Sequence, residues 1–331
     1  MTLHQRHSSS APAALALLAF LALPAWAQGT ADNWPVKPVT LVVPFAAGGP
    51  VDIEARRHAR KLGELTNQSF LVDYKPGAGE TIGTTFVARA APDGYTVLVA
   101  SSSFTISPYL YKGLAYDITR DFTPVSLVSQ RSSLILAHPS FTVKHFADFL
   151  GYAKANPGKM NYGTSGAGGV AHLAGAWLAG LTGIKVTFVH YKGAGPLQVD
   201  MVAGRVETGA MNVLAALPHI KSGKLVPIAL QSDTRSPLLP GIPTVAEQGV
   251  AGYNYRGWFG IVAPAATPAA VVNRLSDLFS KTAKSADVAG PLAAEGVDTV
   301  GSTPAQFRAM IAAENERWKK LIQENGIRLE D

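Results

Sequence analysis

The stretch from Leu41 to Arg56, Leu-Val-Val-Pro-Phe-Ala-Ala-Gly-Gly-Pro-Val-Asp-Ile-Glu-Ala-Arg, constrains the fold more than any other part of the chain. Leu41, Val42 and Val43 are apolar β-formers, small residues fill 46 to 49, and Pro50 stands where the first turn of a helix accepts it. That is a strand, a loop and a helix start. Such a helix turns free backbone N–H groups and the positive end of its dipole toward the loop, and Gly48 and Gly49 put no side chain in a ligand's way. The loop suits an oxyanion, although Gly-rich turns into helices also occur in α/β proteins without a ligand.

The same grammar continues. Val51, Ala55, Ala59, Leu62 and Leu65 recur at helical spacing, while Phe70 to Tyr74 and Thr96 to Ala100 read as strands. This is βαβ alternation and favours an α/β fold with a parallel sheet. Lys75-Pro76-Gly77-Ala78-Gly79-Glu80-Thr81-Ile82-Gly83 lacks both the Gly-Lys-Ser/Thr ending of a phosphate loop and the glycine spacing of a dinucleotide site. It reads as a turn into a helix, with glycines for close packing. Ser101, Ser102 and Ser103 follow a strand end, where ligands collect in open α/β sheets; they are either donors to an anion or plain surface loop.

In the second half, Leu134 to Ala137 starts a strand, and Phe146, Phe149, Leu150 and Ala153 mark a helix that stops at Asn156-Pro157-Gly158. Met160 to Gly169 then repeats the opening pattern ahead of a helix with Val170, Leu173, Ala174, Trp177, Leu178 and Leu181 at core spacing. A second anion cradle results. Gly163-Thr164-Ser165-Gly166-Ala167 also resembles a nucleophile elbow, the basis of a secreted serine hydrolase. Ala167 stands where that motif has Gly, however, and His172 follows only seven residues after Ser165, so His172 reads as a packing or capping residue.

Next come a strand from Val186 to Tyr191, the loop Lys192 to Pro196, a helix from Leu197 to Ala203, and a strand from Arg205 to Met211 that runs into Asn212. Lys192 either meets a carboxylate or is solvated. Val226 to Leu230 is a further strand, Leu239 to Thr244 a rigid loop with Pro240 and Pro243, and Tyr253 to Ala263 an extended crossing back to the first half. Val271, Val272, Leu275, Leu278 and Phe279, and later Phe307, Met310, Ile311, Trp318, Leu321 and Ile322, mark amphipathic helices. No His/Asp/Glu cluster has metal spacing and no acid pair stands out as an acid/base couple, so neither metal nor cofactor is expected.

Composition narrows the setting. The chain has no Cys, which excludes disulfides, thiolate metal sites and a Cys nucleophile. Its net charge of +6 is spread without a Lys/Arg block, which gives nucleic-acid binding little footing and suits attraction of an anionic small molecule. Arg6, the apolar run Ala11 to Leu23 and Ala25-Trp26-Ala27 have the layout of a secretory signal cleaved after Ala27. The run is shorter than the roughly 20 apolar residues a spanning helix needs. A monomer in the bacterial periplasm is the expected setting.

The chain resembles the extracytoplasmic receptors of tripartite tricarboxylate transporters, the Bug receptor family. The resemblance is carried by Trp34-Pro35-Val36-Lys37-Pro38, Val42 to Gly49 with Asp52, Lys75 to Gly79, Pro92 to Tyr95, Tyr162 to Gly166 with His172 to Gly175, Tyr191-Lys192-Gly193, Leu217 to Lys224 and Pro243 to Glu247. It implies a two-lobed periplasmic binding protein of type II, each lobe a mostly parallel sheet flanked by helices, with the cleft between. Lobe 1 would comprise 28–133 and 253–331, lobe 2 134–252, after a signal peptide at 1–27.

The resemblance also implies two jaws that grip a small carboxylate. They are Phe45, Ala46, Ala47, Gly48 and Gly49 from one lobe, and Gly163 to Gly169 from the other, with Thr164, Ser165, Gly166, Ala167 and Gly168 at its centre. Ser101, Ser102, Ser103, Tyr191, Met211 and Asn212 complete the expected site. Many relatives have an acidic residue before the strand-end Asn or Ser; Met211 stands there instead, a polarizable apolar wall that points to a ligand without an amino group. Asp52 reads as a cap on its helix rather than a ligand contact, since a carboxylate in the cleft would repel an anion. Partners would be the ligand and the membrane permease subunits, or alternatively a signalling kinase.

Overall fold

The apolar run ahead of the first loop forms β1 (Val39–Val43), and Pro50 opens α1 (Pro50–Thr66), which ends at Asn67 in the left-handed region. This computed structural model describes residues 33–328 and the first two residues, so the expected cleavage site and most of the expected signal segment lie outside the described residues. After α1 come β2 (Phe70–Tyr74), a short 3-10 turn at Ala78–Glu80, α2 (Thr81–Ala88), β3 (Thr96–Ser101), α3 (Ser103–Leu110) and β4 (Phe122–Arg131).

One residue later a second sheet begins. It is built from β5 (Ser133–Ala137), α4 (Phe146–Ala155), β6 (Asn161–Thr164), α5 (Val170–Thr182), β7 (Thr187–His190), α6 (Ala194–Val202), β8 (Thr208–Asn212), α7 (Val213–Lys221) and β9 (Val226–Leu230). The chain then returns through β10 (Gly257–Pro264), α8 (Ala269–Lys284), α9 (Ala286–Ala294), β11 (Val297–Thr299) and α10 (Pro304–Asn325).

The first sheet has the order β11-β4-β10-β3-β1-β2 and the second β7-β6-β8-β5-β9. Most strands of each sheet run one way, as expected, but each sheet is mixed. β1 pairs in parallel with β2 and β3, and β6 with β7 and β8, but β10 runs antiparallel to β3 and β4, and β5 to β8 and β9. The reason is the crossing. β4 leaves the first lobe at the carboxyl edge, so β5 must enter the second lobe from that same edge and run backward; β10 enters on the return trip in the same way. At this edge Arg131 pairs with Gly257 and Ser133 with Asn212.

Alternation along the strands splits each sheet between two cores. Val39, Leu41 and Val43 face one apolar cluster with α1 and α8, while Val42 faces another with Phe104, Phe307 and Ile311. In the second sheet Ile135 and Ala137 face the cluster with Phe146, Phe149 and Tyr162, and Leu134 and Leu136 face Leu197, Met201 and Met211. Helices therefore cover both faces of both sheets.

Several expectations shift. α6 starts at Ala194, so the residues read as a loop form its first turn. β8 starts at Thr208 rather than Arg205, β10 at Gly257 rather than Tyr253, and α7 was not anticipated. Leu65 and Leu181 stay exposed at 44% and 48%, at the ends of their apolar faces. The far half of α10 does not rest on lobe 1 alone: Trp318, Leu321 and Ile322 join the core of the second sheet. α10 thus packs on α3 and β4 and also on α5, tying the two halves together.

Candidate ligand cleft

The two Gly-rich loops have one design. Gly48 has φ +87°, and its amide donates to Asp52 Oδ2 at 2.7 Å, four residues on in the first turn of α1. In the other lobe the amide of Gly168, φ +64°, donates to His172 Nδ1 at 3.0 Å, again four residues on. Both glycines precede the capping glycines of their helices, Gly49 and Gly169. Asp52 also accepts from Arg56 Nε at 2.7 Å and from the Tyr74 hydroxyl at 2.6 Å. Burial pushes its carboxyl upward, but Tyr74, the Gly48 amide and Arg56 together outweigh that and hold it below the ordinary value.

The second loop is stitched to its neighbour. Tyr191 N donates to Thr164 O at 2.9 Å, and Gly193 N to Ser165 O at 3.0 Å. Thr164 turns inward, its hydroxyl bonded to His190 Nδ1 at 2.7 Å. His172 stacks edge-on to Phe188 and lies 4.5 Å from His190, centroid to centroid. Burial and the nearby His190 lower its pKa to about 4. With Nδ1 accepting from Gly168, that ring is a cap, and both histidines near Ser165 have their Nδ1 engaged elsewhere.

Where the sheets meet, a cavity of about 230 Å³ opens between Ser165, Val170 and Ala171 on one side, Met211, Asn212 and Ala215 on another, and the crossing residues Arg131, Ser132, Tyr255 and Gly257. Of the expected site residues, Ser165, Met211 and Asn212 line it. Met211 is buried, and Asn212 caps α7 by accepting from Ala215 N at 2.8 Å. A second cavity of about 180 Å³ adjoins it through Arg131, Ser132 and Asn212, and there the first turns of α1 contribute Pro50, Ile53 and Glu54 opposite Val213 and Leu214. The crevice thus has walls from both lobes.

Other expected residues point elsewhere. Ser101 and Ser102 are buried: Ser101 Oγ donates to Glu80 Oε2 at 2.5 Å, and Ser102 Oγ accepts from Trp258 N at 3.0 Å. They hold the core together instead of meeting an anion, because Ser103 already starts α3 and pulls the segment inside. Tyr191 donates its hydroxyl to Asp200 at 3.0 Å. Phe45 to Gly49 form a largely exposed loop that lines neither of these two cavities. Gly83 confirms close packing in its stretch, since a Cβ there would lie 2.8 Å from Pro44 Cβ.

Arg131 escaped the sequence reading. Its side chain is 19% exposed, its guanidinium carbon lies 3.9 Å from the Phe259 ring centroid, and its Nη2 donates to the buried Glu54. Burial lowers its pKa against the pull of Glu54, and burial raises Glu54 against the pull of Arg131. The only sequence signal was a lone charge between apolar strand runs.

Two lobes, a crossing at one edge and a crevice with a Gly-rich loop and helix N-terminus in its wall define a solute-binding protein of the periplasmic type. The chain belongs to the family described as "Tripartite tricarboxylate transporter family receptor", which it matches over residues 54–327. It is 34% identical over 302 residues to Protein BugT of Bordetella pertussis, covering 91% of this chain and 93% of that one. Among solved structures it is similar to a protein of R. palustris determined with adipate (TM-score 0.76, 34% identity, 89% of this chain and 100% of that one). It is also similar to MatC of Rhodopseudomonas palustris with bound malate (TM-score 0.72, 31% identity, 87% and 99%).

Proposed function

We propose that this receptor is exported to the periplasm, with cleavage after Ala27, and captures a small carboxylate or dicarboxylate for the membrane permease of a tripartite tricarboxylate-type transporter. The carrying observation is the cavity at the junction of the lobes, walled by Ser165 and the first turn of α5 and lined by no acidic side chain among the described residues. An anion there meets the positive end of a helix and a hydroxyl, and loses no energy to a carboxylate in the wall. The relatives solved with adipate and malate support this ligand class.

Binding acts by differential contact. The ligand carboxylate bridges Ser165 to Ala167 and the loop Phe45 to Gly49 only when the lobes approach, so it shifts the population toward a closed form that the permease reads. Each charge-assisted hydrogen bond contributes roughly 1.5 to 3 kcal/mol, so three or four support micromolar affinity after the cost of closure. Met211 in the wall, in place of an acid, disfavours a ligand ammonium.

Isothermal titration of the mature protein, expected to be a monomer, against adipate, malate, terephthalate, aspartate and glutamate tests the reading. Micromolar binding of one or more acids without an amino group is expected, and Ser165→Ala should weaken it about tenfold without abolishing it. Binding of amino acids alone would overturn the Met211 argument. Silence toward all carboxylates would overturn the ligand class.

A further inference from the structure

We propose that Arg131 is the second anchor of the cleft, the group that reads a second acidic function on the ligand and so selects dianions over monoanions. This rests on the carboxylate reading above and deepens it. Among the described residues lining the 230 Å³ cavity, Arg131 is the one charged side chain. Every other wall residue is neutral, so a ligand whose first carboxylate sits at Ser165 finds a single cation at the crossing edge.

The guanidinium is held in advance. It lies against the Phe259 ring, and its stem passes over Gly257, where an added Cβ would come within 3.4 Å of Arg131 Cγ. Nη2 is committed to Glu54 and Nε is buried without a partner. Nη1 makes no hydrogen bond among the described residues and is absent from the buried, unpartnered atoms, so it is accessible in a residue that lines both cavities. A guanidinium fixed by stacking on one side and an ion pair on the other loses little entropy when its Nη1 donates to a carboxylate.

The neighbouring cavity explains why the acid would stop at Arg131. That cavity is walled by Ile53, Val213, Leu214 and Leu292, and by the carboxylates of Glu54 and Glu295. A second ligand carboxylate moved further along would meet two acids. Arg131 stands at the border, belonging to both cavities.

The test compares adipate with hexanoate, equal in chain length and differing by one carboxylate, by isothermal titration on the wild-type chain and two variants. Removing Arg131 alone would strand Glu54 in the interior, so the main variant is Glu54→Gln with Arg131→Met, which removes both charges; Arg131→Lys keeps the charge and loses the fork. Wild type should bind adipate at least tenfold more tightly than hexanoate. The double variant should lose that preference, adipate affinity falling about tenfold further than hexanoate affinity, and Arg131→Lys should retain part of it. Should the double variant fail to fold, a preference undiminished in Arg131→Lys overturns the proposal. A double variant that folds and still prefers adipate tenfold overturns it while leaving the carboxylate reading intact. Equal binding of both acids by wild type does the same, and silence toward both and toward every acid of the titration above overturns both.

Discussion

The amide of Gly168 donates to Nδ1 of His172, and that bond fixes the protonation state the second loop requires. A ring nitrogen that accepts an N–H carries no proton itself, so His172 is neutral with its hydrogen on Nε2. Asp52 does the same for Gly48 with a full negative charge, anchored by Arg56 and Tyr74. The loop that borders the 230 Å³ cavity is therefore capped without placing an anion beside it.

Acid should weaken this cap. The folded pKa of His172, about 4, lies below the unfolded value of 6.5, so the unfolded chain takes up the proton first as pH falls. The contribution is whole above 6.5 and is lost as pH drops toward 4. His172→Asn offers an acceptor that does not titrate. Urea midpoints at pH 7 and pH 5 should fall less in this variant than in wild type.

Asp52→Ala should cost about 1 to 2 kcal/mol and loosen the first jaw, since one change removes the acceptor of Gly48, Arg56 and Tyr74. Chemical denaturation measures the stability, and the dissociation rate of a bound carboxylate should rise. With its folded pKa depressed below 3.8, wild-type Asp52 keeps its contribution above that value and loses it only in stronger acid.

Glu80 behaves in the opposite sense. It is fully buried, and burial outweighs its bonds from the Ser101 hydroxyl and amide, raising its pKa from 4.5 to about 8. The folded protein holds a proton there that the unfolded chain releases, so the stabilisation is complete below 4.5 and is lost as pH rises through 8. Glu80→Gln, which keeps an acceptor for the Ser101 amide, should match wild type at pH 5 and exceed it by about 1 kcal/mol or more at pH 8. Urea denaturation at the two pH values decides it.

Gly209→Ala should reach the cleft through packing alone. Gly209 pairs with Gly163 across β8 and β6, and a Cβ on it would lie 2.8 Å from the Gly163 carbonyl oxygen and 3.0 Å from Met201 Sδ. β6 carries the Ser165 loop, so the strand must shift. A loss of about 1 to 3 kcal/mol in thermal or urea unfolding is expected, together with weaker carboxylate binding.

Local sequence carried much of this molecule. Leu41 to Val43 before the small residues and Pro50 dictate strand, loop and helix; Met160 to Gly169 do so again; and both helices start at their glycines, as β-propensity, proline geometry and the lack of a Cβ require. The positions of Ser165, Met211 and Asn212 at strand ends put them at the sheet edge, where the cavity lies. Packing decided the rest. Ser101 and Ser102 read locally as free donors, yet β10 and Glu80 arrive from distant parts of the chain and take their bonds. Arg131 reads locally as a lone charge, and it gains its place only because β10 lays Phe259 and Gly257 against it while α1 brings Glu54. Backbone conformation follows from neighbours a few residues away, whereas the burial and pairing of a polar side chain depend on strands and helices that meet only in three dimensions.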